Sequence, residues 1–135
     1  MTSADRPVIA VFNSSDDTVE LLRTALEHEG FQTVAGHIPE LKKGELDLLR
    51  FIEQHGPQVI VYDISPPYEP NWAFLRLVRS SQAARGRRFV ITTTNKSALD
   101  GLVGSTEALE IIGKPYDLGR VIGAVRLAVD APEPR

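Results

Sequence analysis

A chain of 135 residues that is 42% hydrophobic and 24% charged is expected to form one domain around a single core, with no room for a second. It has no cysteine, which excludes disulfides, thiolate metal sites and a thiol nucleophile. A net charge of −3 offers no broad attraction to nucleic acid, and no segment reaches the apolar length of a membrane span. The polar start from Met1 to Pro7 lacks a signal-peptide pattern, so a cytoplasmic location is expected. Residues 1–7 are expected to be disordered, 8–129 to form the domain, and 130–135 to make a flexible tail.

In chain order, Val8-Ile9-Ala10-Val11-Phe12 reads as a first buried strand, and Asn13-Ser14-Ser15-Asp16-Asp17 as a loop that can cap a helix. Val19, Leu22 and Leu26, joined by Leu21 and Ala25, mark that helix, and Gly30 supplies its left-handed stop. Phe31 to Ala35 is a second strand. Pro39 and Gly44 interrupt the polar stretch that follows, and Leu46, Leu49 and Ile52 then resume a helical face that Gly56-Pro57 ends. Gln58 opens the central strand, a run of β-branched and aromatic residues in which Asp63 is the only charge. Trp72, Leu75 and Val78 predict a third helix, with Phe74 and Leu77 widening its apolar side. Phe89 to Thr93 is the fourth strand. Residues 96 to 107 should form a fourth helix weakened by Gly101 and Gly104. Ala108 to Ile112 is the fifth strand, and Leu118, Val121, Ile122, Val125 and Val129 form the last amphipathic helix.

Five strands alternating with helices predict an α/β fold, a three-layer doubly wound parallel sheet of the flavodoxin-like kind with strand order 2-1-3-4-5. In that order the loops after strands one and three face each other across the crevice where such sheets gather their chemistry. Asp63, the only charge in its strand, falls there. An aspartate before Ser65-Pro66-Pro67 also suits a turn. Thr93 or Thr94 after strand four and Lys114 after strand five reach the same end of the sheet. A carboxylate, a hydroxyl and an ammonium are what aspartyl phosphorylation requires.

On Asp63-Ile64-Ser65-Pro66-Pro67, Ile91-Thr92-Thr93-Thr94 and Gly113-Lys114-Pro115-Tyr116, in that order, the sequence from Val8 to Val129 resembles the receiver domain of bacterial response regulators. The resemblance implies Asp63 as phosphoacceptor, Thr93 as the switch hydroxyl and Lys114 as the ammonium that pairs with the phosphoryl group. It implies a divalent ion on Asp63 and the backbone carbonyl of Ser65. The two acids that receivers place after strand one align with Asn13 and Ser14. Mg²⁺ wants carboxylate oxygens, so binding is expected to be weak and no other cofactor is expected. Asp16 and Asp17 come later and read as first-turn helix acids. The aromatic that many receivers carry on strand five is replaced by Ile111.

The resulting expectation is an atypical single-domain receiver in two-component phosphorelay signalling, not an enzyme beyond self-phosphorylation and dephosphorylation at Asp63. Its partners would be a histidine kinase or other signalling protein, with no direct nucleic acid and no membrane, and a homodimer through the strand 4–helix 5 face is in keeping with the family. A conventional phosphoaccepting receiver is the alternative. A flavodoxin-like phosphate or nucleotide site at Asn13-Ser14-Ser15 is more remote, since that loop has no glycine and Asp16 and Asp17 would repel an anion. An aspartate-based hydrolase would want a second acid where Ser65 stands.

Overall fold

The computed structural model describes residues 6–44, 47–103, 110–113 and 118–130. Its strands are β1 (Val8–Asn13), β2 (Gln32–His37), β3 (Val59–Ile64), β4 (Arg88–Thr93) and β5 (Glu110–Gly113). Its helices are α1 (Asp16–His28), α2 (Ile38–Lys42), α3 (Leu48–His55), α4 (Tyr68–Arg79), α5 (Lys96–Val103) and α6 (Leu118–Asp130). All strand pairs are parallel and the order is β2-β1-β3-β4-β5, as expected from the alternation of strands and helices. No helix among the described residues is long and apolar enough to cross a membrane.

Because successive strand residues point to opposite faces, each buried strand feeds two cores. Ile9, Val11, Val59, Val61 and Val90 pack with Leu22 and Leu26 of α1 and with Val121 and Val125 of α6. Ala10, Phe12, Ile60, Tyr62, Ile64 and Ile91 pack on the other face with residues of α3, α4 and α5. The sheet is thus covered on both sides, which is why its strands carry apolar runs.

Helix α1 starts and stops as its residues dictate. The Ser15 hydroxyl accepts the Thr18 N–H at its start. At its end Gly30 takes φ +95°, Gly30 N–H donates to the Glu27 carbonyl and Phe31 N–H to the Leu26 carbonyl, the double closure of a Schellman turn. Phe31 therefore belongs to the helix stop, and β2 runs from Gln32 to His37, later than the Phe31–Ala35 expected.

Three other expectations change. The stretch after β2 contains α2, an extra short helix whose second residue is Pro39, a place where the missing N–H costs nothing. On α4, Trp72, Leu75 and Val78 are buried, but Phe74 and Leu77 face outward and do not widen the core side. Leu21 of α1 is exposed in the same way, and on α3 Leu49 faces outward while Leu48 and Ile52 are buried. The expected fourth helix is present from Lys96 to Val103 with Gly101 inside it. Gly104, Ala108 and Leu109 lie outside the described residues, as do residues 1–5 and 131–135 of the expected termini.

Candidate functional site

Among the described residues four polar side chains are buried: Asn13, Asp63, Thr92 and Thr93, none more than 3% exposed. All four lie at the carboxyl ends of β1, β3 and β4. Buried polar groups cost free energy unless paired, so their concentration at one sheet edge marks the candidate site.

Strand alternation explains the arrangement. Asn13 is two residues beyond Val11, Asp63 two beyond Val61 and Thr92 two beyond Val90, and those valines all belong to the core under α1 and α6. Asp63 pairs in register with Thr92, and Phe12 with Tyr62, so the β1–β3 register continues to Asn13 beside Asp63. The three side chains form one row across neighbouring strands.

The Thr92 hydroxyl donates to Asp63 Oδ1 at 2.7 Å. A short hydrogen bond onto a carboxylate is of the strong, charge-assisted kind. Thr93 is the next residue along and alternates to the opposite face, where its Oγ1 accepts the Asn95 N–H at 3.4 Å. Thr94 meets the Tyr68 hydroxyl at 2.8 Å, joining the β4–α5 loop to the start of α4.

Asn13 is fixed by its own turn. Its Oδ1 accepts the Ser15 N–H at 3.0 Å, which leaves the amide nitrogen as the other end of the group. That nitrogen is buried and has no hydrogen-bond partner among the described residues. Ser14 is exposed. The Ser65 carbonyl accepts from Asn71 Nδ2 at 2.7 Å, tying the loop after β3 to the first turn of α4.

Asp16 and Asp17 occupy the first turn of α1, as expected of acids at a helix N-terminus. Asp16 Oδ1 lies 3.0 Å from His37 Nε2, and Glu40 Oε1 lies 3.1 Å from Nδ1 of the same ring. Neither acid joins the buried row. No group of three or more His, Asp or Glu suited to a metal ion occurs among the described residues. Lys114, Pro115 and Tyr116 lie outside them. Ile111 is buried in the core beneath α4 and α5.

Next to the row, on the other face, burial and the neighbouring Asp63 carboxylate push the Tyr62 hydroxyl from 10.0 up to about 12. Both causes disfavour a second negative charge at this edge.

The structure thus brings Asp63 and Asn13 to one strand edge and gives the carboxylate a hydroxyl partner, Thr92, that the sequence analysis did not single out. The signal for Thr92 was available in principle, since it shares parity with Val90 in an alternating strand.

No family model and no curated relative matches the sequence. Solved structures do resemble it. A signal receiver domain of a two-component histidine kinase from Clostridium thermocellum superposes with a TM-score of 0.73 at 17% identity, over 93% of this chain and 98% of that one. A response regulator receiver protein from Sinorhizobium medicae gives 0.72 at 17% identity, over 95% and 98%. A CheY-like response regulator receiver domain from Methylobacillus flagellatus gives 0.69 at 16% identity, over 92% and 99%. At such identities the likeness is one of fold, and it spans nearly the whole of each chain: this protein has the fold of response regulator receiver domains.

Proposed function

We propose that the chain acts as an atypical receiver module in two-component signalling through protein contacts, with Asp63 in the phosphoacceptor position and metal-dependent phosphorylation weak or lost. The observation that carries this reading is the buried Asp63 at the carboxyl end of β3, at the point where the strand order reverses, held by the Thr92 hydroxyl. In phosphoryl transfer a carboxylate oxygen of Asp63 would attack phosphorus as the bond to the donor's leaving group breaks. Lys114 would supply the positive charge and Thr93 the switching hydroxyl, as the resemblance implies.

The residues present do not fit Mg²⁺. Four groups would have to hold it: Asp63, the Ser65 carbonyl, Asn13 and Ser14. Three of them already accept hydrogen bonds, Asp63 from Thr92, Ser65 from Asn71 and Asn13 from Ser15. Ser14, the fourth, is exposed and offers only a neutral hydroxyl. The other end of the Asn13 amide is a donor, which repels a cation. Mg²⁺ needs near-octahedral oxygen ligands and surrenders its waters reluctantly, so one carboxylate in this setting is a poor site.

With weak chemistry at Asp63, output would rest on protein contacts with a histidine kinase or another signalling protein. Intact mass after incubation with a small acyl phosphate and Mg²⁺ tests the reading. Little or no added phosphoryl mass is expected, and any that forms should not depend on Mg²⁺. Ready Mg²⁺-dependent labelling at Asp63 would make this a conventional receiver instead.

A further inference from the structure

Four of the six large apolar side chains exposed among the described residues gather on one surface, while Leu21 on α1 and Leu127 on α6 stand apart from it. The four are Leu49, Phe74, Leu77 and Leu102, with Leu77, 71% exposed, at the centre. Leu77 lines two grooves. One, of about 290 Å³, runs between α3 and α4 past Leu49 and Phe74. The other, of about 480 Å³, runs between α4 and α5 past Trp72, Ala73 and Leu102. A contiguous apolar ridge with grooves on both sides is a contact surface, unlike a single exposed leucine.

Charge along α4 decides what fits. Glu69, Ala73 and Arg76 all line the α4–α5 groove and are all exposed. The acid stands at the amino end of the helix and the base two turns later, with a small residue between. Such a pattern is its own complement: turning a second copy about a two-fold axis near Ala73 brings each Glu69 beside the other copy's Arg76. The same rotation carries each Leu77 to the Glu69–Trp72 end of the other groove, and Ala73 lets the helices approach closely. A partner of one charge would match only half of this face.

We propose that α4 is a self-association surface on which two copies of this chain pair antiparallel. Leu77 of each copy fills the α4–α5 groove of the other, and Glu69–Arg76 pairs across the axis set the alignment. This surface is centred on α4, whereas the dimer face that the resemblance implies runs from β4 to the last helix, α6, and it does not depend on the chemistry of Asp63. The apolar contact supplies most of the affinity, while the exposed ion pairs supply orientation.

Sedimentation velocity on the native chain up to high-micromolar concentration tests the proposal. A reversible dimer is expected, weakened roughly tenfold or more by Leu77→Glu. Glu69→Arg and Arg76→Glu should each weaken it by a few-fold, and the two together should restore it, because the two-fold axis pairs the exchanged charges again. Circular dichroism melts confirm that each variant is folded, which the exposure of all three side chains favours. A native chain that stays monomeric overturns the proposal. So does a dimer indifferent to Leu77→Glu, or an exchange variant no better than either single change.

Discussion

The two faces of the sheet end differently at the same edge. Under α1 and α6 the rows of valine and isoleucine finish in Asn13, Asp63 and Thr92, tied by a hydrogen bond from hydroxyl to carboxylate. On the other face the same strands pass through Phe12, Tyr62 and Ile91, with the Phe12 ring 5.2 Å from Phe51 and 5.8 Å from Tyr62, and β3 and β4 finish there in Ile64 and Thr93. Neighbouring residues of one strand thus serve opposite ends: Asp63 is a buried acid at the proposed site, and Tyr62 packs. The helices over the aromatic face carry the exposed apolar ridge, so the proposed chemistry and the proposed contact surface are separated by the thickness of the sheet.

The largest expected effect bears on the orientation of α4. Leu75 is fully buried and Leu77 is exposed. Leu75→Ala should destabilise the chain by about 2–5 kcal/mol, whereas Leu77→Ala should change stability by less than about 0.5 kcal/mol. Urea unfolding at dilute concentration measures both without a contribution from association. Equal costs would mean that α4 does not divide into a core side and a ridge.

A second test uses the proximity of Tyr62 to Asp63. The tyrosine hydroxyl is raised from 10.0 to about 12 in the folded chain, so the fold favours its neutral form. Stability is complete below pH 10, where the hydroxyl is neutral in both states. Above it the unfolded chain loses the proton first, and stability falls as the pH rises toward 12, by up to about 3 kcal/mol. Tyr62→Phe should remove that part of the alkaline decline. An unchanged decline in the variant would show that the aromatic side does not feel the burial and charge assigned to it.

A smaller effect sharpens the polar side. Thr92→Val removes the donor to Asp63 and should cost about 2 kcal/mol near neutral pH, the scale for a hydrogen bond to a charged group. Thr93→Val should cost less, since its bond to Asn95 N–H is long, at 3.4 Å. Repeating Thr92→Val in an Asp63→Asn background should shrink its cost. A cost independent of residue 63 would break the row.

Much of the fold could be read from the sequence because each strand is an apolar run followed by turn residues, and the stops at Gly30 and Gly56 use the left-handed backbone that glycine allows. What could not be read has physical causes. Phe74 and Leu77 each stand one position from a buried neighbour, Leu75 and Val78, about 100° around a helix, so apolar character alone does not say which set faces inward. Thr92, Thr93 and Thr94 are identical in chemistry, and only the register Asp63 with Thr92 distinguishes them. The α2 helix is five residues long, too short to show a period. The expected site was legible at Asp63 because packing does not account for a charge that closes a buried strand. That Asn13 would turn its amide oxygen to Ser15 depends on loop geometry that no pattern of residue types reveals.

The central claim of the proposal is that Asp63, which accepts from the Thr92 hydroxyl, has Asn13 and Ser14 rather than acids beside it at the end of β1, so that Mg²⁺ does little to promote its phosphorylation. Intact-mass labelling with an acyl phosphate, with and without Mg²⁺, tests it most directly when the native chain and an Asn13→Asp, Ser14→Asp variant are compared side by side. Little Mg²⁺-dependent phosphoryl addition is predicted for the native chain, and clear Mg²⁺-dependent addition at Asp63 for the variant. A native chain that labels readily while the variant stays inert would contradict the claim.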